Sequence, residues 1–184
     1  MFIQNKINFK DVYILKDDMV MAVSLPGDAC IEQMGEELNA LNQLKEPPIE
    51  ISVVHAKGGF EYEGQPAMVM ERMEGSDRDL VAENLDGIRM LPMPESERLT
   101  EIVRNNKGRA IDSLCEIKKR VEINKIEIMD IRFLIAADGE FVVSNPYEIV
   151  CEVGIPGGIK YAEEVNENYT ISKIDNLMEY IKGL

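Results

Sequence analysis

The sequence predicts an α+β domain. Strand patterning dominates residues 1–73 around one helical stretch, and helical periodicity dominates residues 74–184. An Ala137-Asp138-Gly139 turn between two short apolar runs then places a β-hairpin late in the second half. Strands come first and helices after, with no regular alternation, which is the order expected when the two kinds of element segregate.

The elements follow in order. Val12–Leu15 and Met19–Ser24 flank the polar turn Lys16-Asp17-Asp18 and predict a hairpin. Pro26-Gly27 breaks the second strand. Asp28 then offers an N-cap to a helix with Ile31, Met34, Leu38, Leu41 and Leu44 on one face, ended by Pro47-Pro48. Ile49–His55 alternates and predicts a strand, as do Phe60–Tyr62 after Gly58-Gly59 and Ala67–Met73. Glu74–Asp79 and Pro92–Glu95 bracket a polar, loop-rich stretch, the expected hinge between two lobes.

Helical spacing resumes at Ser96–Arg104, breaks at Asn105-Asn106-Lys107-Gly108, and continues with Ile111, Leu114, Ile117/Lys118 and Val121 inward. Lys125–Met129, Phe133–Ala136 and Phe141–Ser144 read as strands, the last stopped by Pro146. Gly154–Gly158 reads as loop. A closing helix is expected from about Ser172, where Ser172 and Asp175 resemble a capping box ahead of Leu177, Met178 and Ile181.

Composition narrows the function without naming it. The 184 residues carry 34 Asp+Glu against 20 Lys+Arg, a net charge of −14, with 45% hydrophobic and 29% charged residues. That balance is globular rather than disordered. An acidic surface repels phosphate backbones, so nucleic acid is not an expected partner. No apolar run approaches the roughly 18 residues of a membrane span, and the first residues show no secretory h-region. A cytoplasmic protein is therefore expected. Cys30, Cys115 and Cys151 are odd in number and far apart, which fits buried free thiols rather than a disulfide framework or zinc site. His55 is the sole histidine. The methionines, Met68, Met70, Met73, Met90 and Met93 among them, read as core filler or as an adaptable pocket lining.

Three segments carry a resemblance to a known family. Met21-Ala22-Val23-Ser24, followed by Glu36-Glu37-Leu38-Asn39-Ala40-Leu41, is similar to the third strand and αC helix of protein kinases. Met68-Val69-Met70-Glu71-Arg72-Met73-Glu74-Gly75 looks like the fifth strand and hinge. Ile126–Pro146 looks like the catalytic loop and the hairpin that leads to the metal-binding position. Over roughly residues 10–150 the element order resembles a miniature two-lobed protein-kinase-like fold, and in particular minimal bacterial kinase-like effector and toxin domains. The lobes would be a strand-rich half over 1–73 and a helical half over 74–184, with a cleft between roughly Met73 and Asp130.

The resemblance implies ATP and magnesium as possible ligands, and delivery into the cytoplasm of a host or target cell as the alternative location. Asp130 stands at the catalytic position, with Glu37, Glu71, Met73 and Asn145 at cofactor-binding positions. Asn145, fifteen residues after Asp130, also stands at the metal position.

Several kinase features are replaced. No G-x-G-x-x-G precedes residue 16, and Ser24 stands where the strand lysine is expected, which leaves Glu37 without that ion partner. Lys10 or Lys16 from the preceding strand are the candidates to supply the missing cation. Met129 precedes Asp130 in place of arginine, the loop after Asp130 is short, and the metal position holds Asn145 rather than a carboxylate. Asp130 reads as catalytic or as a loop Asp paired with Arg132, and Asn145-Pro146 as ligand or as plain turn chemistry. The expected function is a catalytically impaired, pseudokinase-like domain acting by binding a protein partner, which the acidic surface suggests is basic. The alternatives are an active minimal kinase that phosphorylates a protein hydroxyl, and an acidic immunity or decoy protein.

Overall fold

The structure is a computed structural model that describes residues 2–7, 9–16, 18–81, 94–144, 146, 148–151, 160–161 and 169–184. Asp17, Met90, Pro92, Met93, Asn145 and the Gly154–Gly158 loop lie outside the described residues, so those expectations meet no observation.

The N-terminal half is one antiparallel sheet with a helix on its inner face. Its strands are β1 (Phe2–Ile7), β2 (Lys10–Lys16) and β3 (Met19–Ser24), then, after helix α1 (Asp28–Lys45), β4 (Ala56–Tyr62) and β5 (Gln65–Glu71). They are ordered β1-β2-β3-β5-β4. The β2–β3 register sets Lys10 opposite Ser24 and Val12 opposite Ala22. Period-2 alternation therefore puts Lys10, Val12, Ala22 and Ser24 on the face that meets α1. Ala22, Met68 and Met70 are buried there, with Val12 and Val20 packed against them.

Along α1 the buried positions are Met34, Glu37, Leu41 and Leu44, a helical stripe with one carboxylate in it. Ile31, expected on that face, is exposed. The helix is capped at Gly27, with no side-chain cap, and Asp28 is its first helical residue instead of the expected N-cap.

After Pro47-Pro48 the chain departs from expectation. Ile49–His55 forms no strand beyond a single parallel bridge, Val53 to Val143. Its apolar residues Ile49, Ile51, Val53 and Val54 are buried as a connector against the second half. Val54 N–H donates to Val143 O (2.9 Å) and Val143 N–H to Ser52 O (3.0 Å). Alternation alone cannot distinguish a ladder strand from a buried connector that borrows one partner.

The second half begins with β6 (Gly75–Ser76) and α2 (Asp77–Val81), both within the stretch expected to be loop. Next come α3 (Pro94–Asn105), α4 (Lys107–Asn124), β7 (Ile126–Met129), β8 (Arg132–Ile135), β9 (Phe141–Ser144), β10 (Glu148–Cys151), β11 (Lys160–Tyr161) and α5 (Tyr169–Gly183). Two three-stranded sheets, β11-β10-β7 and β6-β8-β9, lie against the helices. Pro146 ends β9 as expected, yet β10 follows and pairs back onto β7. The closing helix starts at Tyr169, so Ser172 lies within it and Asp175 binds Lys118 of α4 (2.7 Å) rather than capping.

Leu99, Val103, Leu114, Ile117, Val121, Ile174, Leu177 and Ile181 meet Phe133 and Phe141 in the core. The Phe133 and Phe141 rings sit edge to face at 6.4 Å. Met34, Met68, Met70 and Met178 fill core as expected, whereas Met129 is exposed. Cys30 is half-buried and Cys115 exposed, correcting the expectation of buried thiols. The α4 stripe faces inward through Ala110, Leu114, Ile117 and Val121, and Cys115 falls just off it.

The Asp-Gly turn holds as predicted. Gly139 adopts φ +80, and a Cβ there would stand 2.6 Å from Asn106 Cβ. Both the left-handed backbone and the close approach demand glycine. Gly139→Ala is expected to cost about 1–3 kcal/mol. That corresponds to a Tm lower by roughly 3–10 °C in a thermal melt.

Candidate functional site

Lys10 and Glu37 form a salt bridge, and each side chain is only 3% exposed. Lys10 opens β2 directly after the tight turn at Phe9, and its ammonium lies 5.1 Å from the Phe9 ring centroid. Leu25 N–H donates to Phe9 O (2.8 Å), tying this turn to the end of β3. Ser24, the position expected to hold the lysine, faces Lys10 across the ladder and is 2% exposed. Directly opposed Cβ atoms lie about 5 Å apart. A small serine therefore leaves the space through which the Lys10 arm reaches α1.

The expectation that Glu37 lacks its ion partner is thus wrong. The cation sits one strand over, on β2, and of the two candidates it is Lys10, since Lys16 ends the strand in solvent. The signal was present in the sequence: hairpin pairing of 12 with 22 and 14 with 20 puts 10 against 24. Glu37 Oε1 has no hydrogen-bond partner among the described residues. An ammonium offers three donors, and the one Glu37 oxygen it meets uses one of them.

The hinge follows β5. The Glu71 carboxylate accepts a hydrogen bond from His55 N–H (2.9 Å), and its own N–H donates to His55 O (3.1 Å). Glu71 is therefore committed to fixing the connector. Past it, Arg72 N–H donates to Asp18 O (2.9 Å) and Glu74 N–H to Ile135 O (2.8 Å). These bonds pin Met73 between the first sheet and β8. Its side chain packs half-buried on the core. His55 stands at the surface with Nδ1 3.4 Å from Lys45 Nζ.

Asp130 sits between β7 and β8 at φ +51, a left-handed conformation that Asp tolerates better than most residues. It is exposed and ion-paired with Arg132. Strand pairing sets Ser144 opposite Arg132 and Glu148 opposite Met129. The chain on either side of 145–147 is thus brought to both flanks of Asp130, while Asn145 itself is not among the described residues. Beside Asp130 a cavity of about 380 Å³ is lined by Asp77, Ile131, Tyr169, Lys173, Leu177 and Tyr180, among others. Among the described residues no cluster of three or more His, Cys, Asp or Glu is placed to hold a metal ion. No helix among them is long and apolar enough to cross a membrane.

The model of one family, the type III secretion system effector HopBF1 kinase domain, matches residues 5–180, nearly the whole chain. The chain belongs to that family. No curated protein matches it. The kinase-like architecture is therefore no accident of element order.

Burying two charges costs several kcal/mol per ion, and a hydrophobic pair of similar volume is often as stable. Lys10→Met should lower stability by about 3–5 kcal/mol in urea denaturation, because it strands Glu37. Lys10→Met combined with Glu37→Leu should recover most of that loss. A single variant as stable as the parent would show that the pair is not desolvated as described.

Proposed function

We propose that this effector domain binds ATP through Lys10 and transfers its γ-phosphate to a hydroxyl of a protein in the cell that receives the effector. The single observation behind this reading is the buried Lys10–Glu37 pair. A desolvated cation, with one of its three donors engaged among the described residues, is kept at the inner face of the sheet, at a cost that a hydrophobic pair would avoid. It suits phosphate oxygens, for which lysine acts as a point charge. Val12, inward on β2 and only partly buried, would give the adenine an apolar contact. Met73, held from both sides, gives it a backbone edge.

Phosphoryl transfer is mainly positioning plus charge neutralisation. Asp130 would orient the acceptor hydroxyl and accept its proton. The acceptor oxygen bonds to the γ-phosphorus as the bond to the β,γ-bridging oxygen breaks, and ADP leaves. Magnesium would supply further neutralisation of the phosphates. The residue at the metal position, Asn145, offers a neutral amide in place of a carboxylate, so no step is assigned to the ion.

A second reading has its own support. Arg132 occupies the Asp130 carboxylate, and Asn145 removes a metal-binding charge. Both favour an impaired domain that holds nucleotide and works by binding a protein partner, which the net charge of −14 suggests is basic.

Calorimetric titration with Mg-ATP, together with incorporation of label from γ-labelled ATP into the protein itself or an added basic acceptor protein, separates the two. Losing one charged hydrogen bond costs about 1.5–3 kcal/mol. Lys10→Met should thus weaken nucleotide binding by about 10- to 100-fold. Label incorporation should vanish in Asp130→Ala with binding retained. Binding without incorporation in the parent protein supports the impaired reading, and absence of binding contradicts both.

A further inference from the structure

The loop that carries Asp130 is held by groups from both ends of the second half. Asp77, the first residue of α2, is buried, and its Oδ1 accepts a hydrogen bond from Phe133 N–H (3.0 Å). Its Oδ2 meets Lys173 Nζ of α5 at 3.0 Å. The same Lys173 ammonium donates to Ile131 O (2.6 Å). One turn earlier on α5, Thr170 Oγ1 accepts from Ile128 N–H (2.8 Å) and donates to Ile128 O (3.2 Å). Backbone groups at 128, 131 and 133 are thus fixed on both flanks of Asp130. These bonds are charged or buried, which makes them stronger than ordinary surface contacts.

We propose that Asp77 and Lys173 are positioning residues for Asp130: an ion pair, buried at Asp77 and half-buried at Lys173, that clamps the short loop and sets the direction of its carboxylate. The inference rests on the phosphotransfer reading for its consequence but not for its geometry. The short loop, with Phe133 only three residues beyond Asp130, provides few internal bonds to fix its own shape. Fixing must therefore come from outside, and α5 supplies it. Lys173 and Asp130 also line the same cavity, so a change at Lys173 reaches the reacting carboxylate directly through Ile131.

The variants are Lys173→Met, Lys173→Arg and Asp77→Asn, each checked for folding by circular dichroism. Label transfer and Mg-ATP affinity are measured together. Lys173→Met and Asp77→Asn should lower kcat at least 10-fold with nucleotide affinity within about 2-fold of the parent. Lys173→Arg, which keeps the charge and the donors, should recover most of the rate. Equal loss of affinity and rate, or an unchanged rate, overturns the proposal. Amide hydrogen exchange at Ile131–Phe133 keeps the test separate from the activity itself. Faster exchange confined to that loop in Lys173→Met supports the clamp even if the parent transfers no phosphate, and unchanged exchange overturns it.

Discussion

One carboxylate in the apolar stripe of α1 governs how the first half of this protein is arranged. Glu37 lies between Met34 and Leu41 on the buried face, where an unpaired charge would be intolerable. It requires a cation from the sheet, and the sheet supplies Lys10. The observed register of β2 against β3, with residue 10 opposite Ser24, delivers that ammonium to α1. The same bridge ties α1 to the sheet. The pair is a poor source of stability, as expected for a buried ion pair one of whose oxygens has no hydrogen-bond partner among the described residues.

The acidic surface does not conflict with a phosphate site. At physiological ionic strength the Debye length is about 8 Å, so exposed carboxylates farther away are largely screened. A buried ammonium is screened far less. The Lys10 ammonium is compensated locally by Glu37, so the proposed phosphate contact would have to draw on its remaining donors rather than on an excess of positive charge. At Asp130 the balance is different. That carboxylate is exposed and held by Arg132, so its use in chemistry requires exchange of one partner for another. In the proposed function, nucleotide capture and phosphate transfer would depend on separate ion pairs, one buried and one exposed, so that one could be weakened while the other is kept.

Much of the fold was legible in the sequence because it rests on local signals. The β2–β3 hairpin, α1, α4 and the Asp138-Gly139 turn follow from alternation, helical spacing and a glycine demanded by positive φ. What failed were readings that depend on distant partners. Ile49–His55 alternates like a strand, yet among the described residues it forms one isolated β-bridge, Val53 to Val143 of β9. The Ser172–Asp175 capping box was mistaken because Asp175 spends its charge on Lys118, a residue 57 positions away. At the site, Asp130 and Glu37 were visible through the family pattern, but Ser24 drew attention to an absent lysine and away from its cross-strand neighbour. Asp77 and Lys173 had no local signal at all. Their importance comes from meeting around Ile131 and Phe133, which no window of sequence contains.

The relocation of the cation is the central claim, and moving it back is the most direct test. Nucleotide affinity measured on Lys10→Ser and on Lys10→Ser combined with Ser24→Lys compares the two strands within one scaffold. If Lys10 is the phosphate cation, the single variant loses affinity and the double variant, with the ammonium now launched from β3 toward the same Glu37, regains most of it. Parent-like affinity in Lys10→Ser would contradict the account.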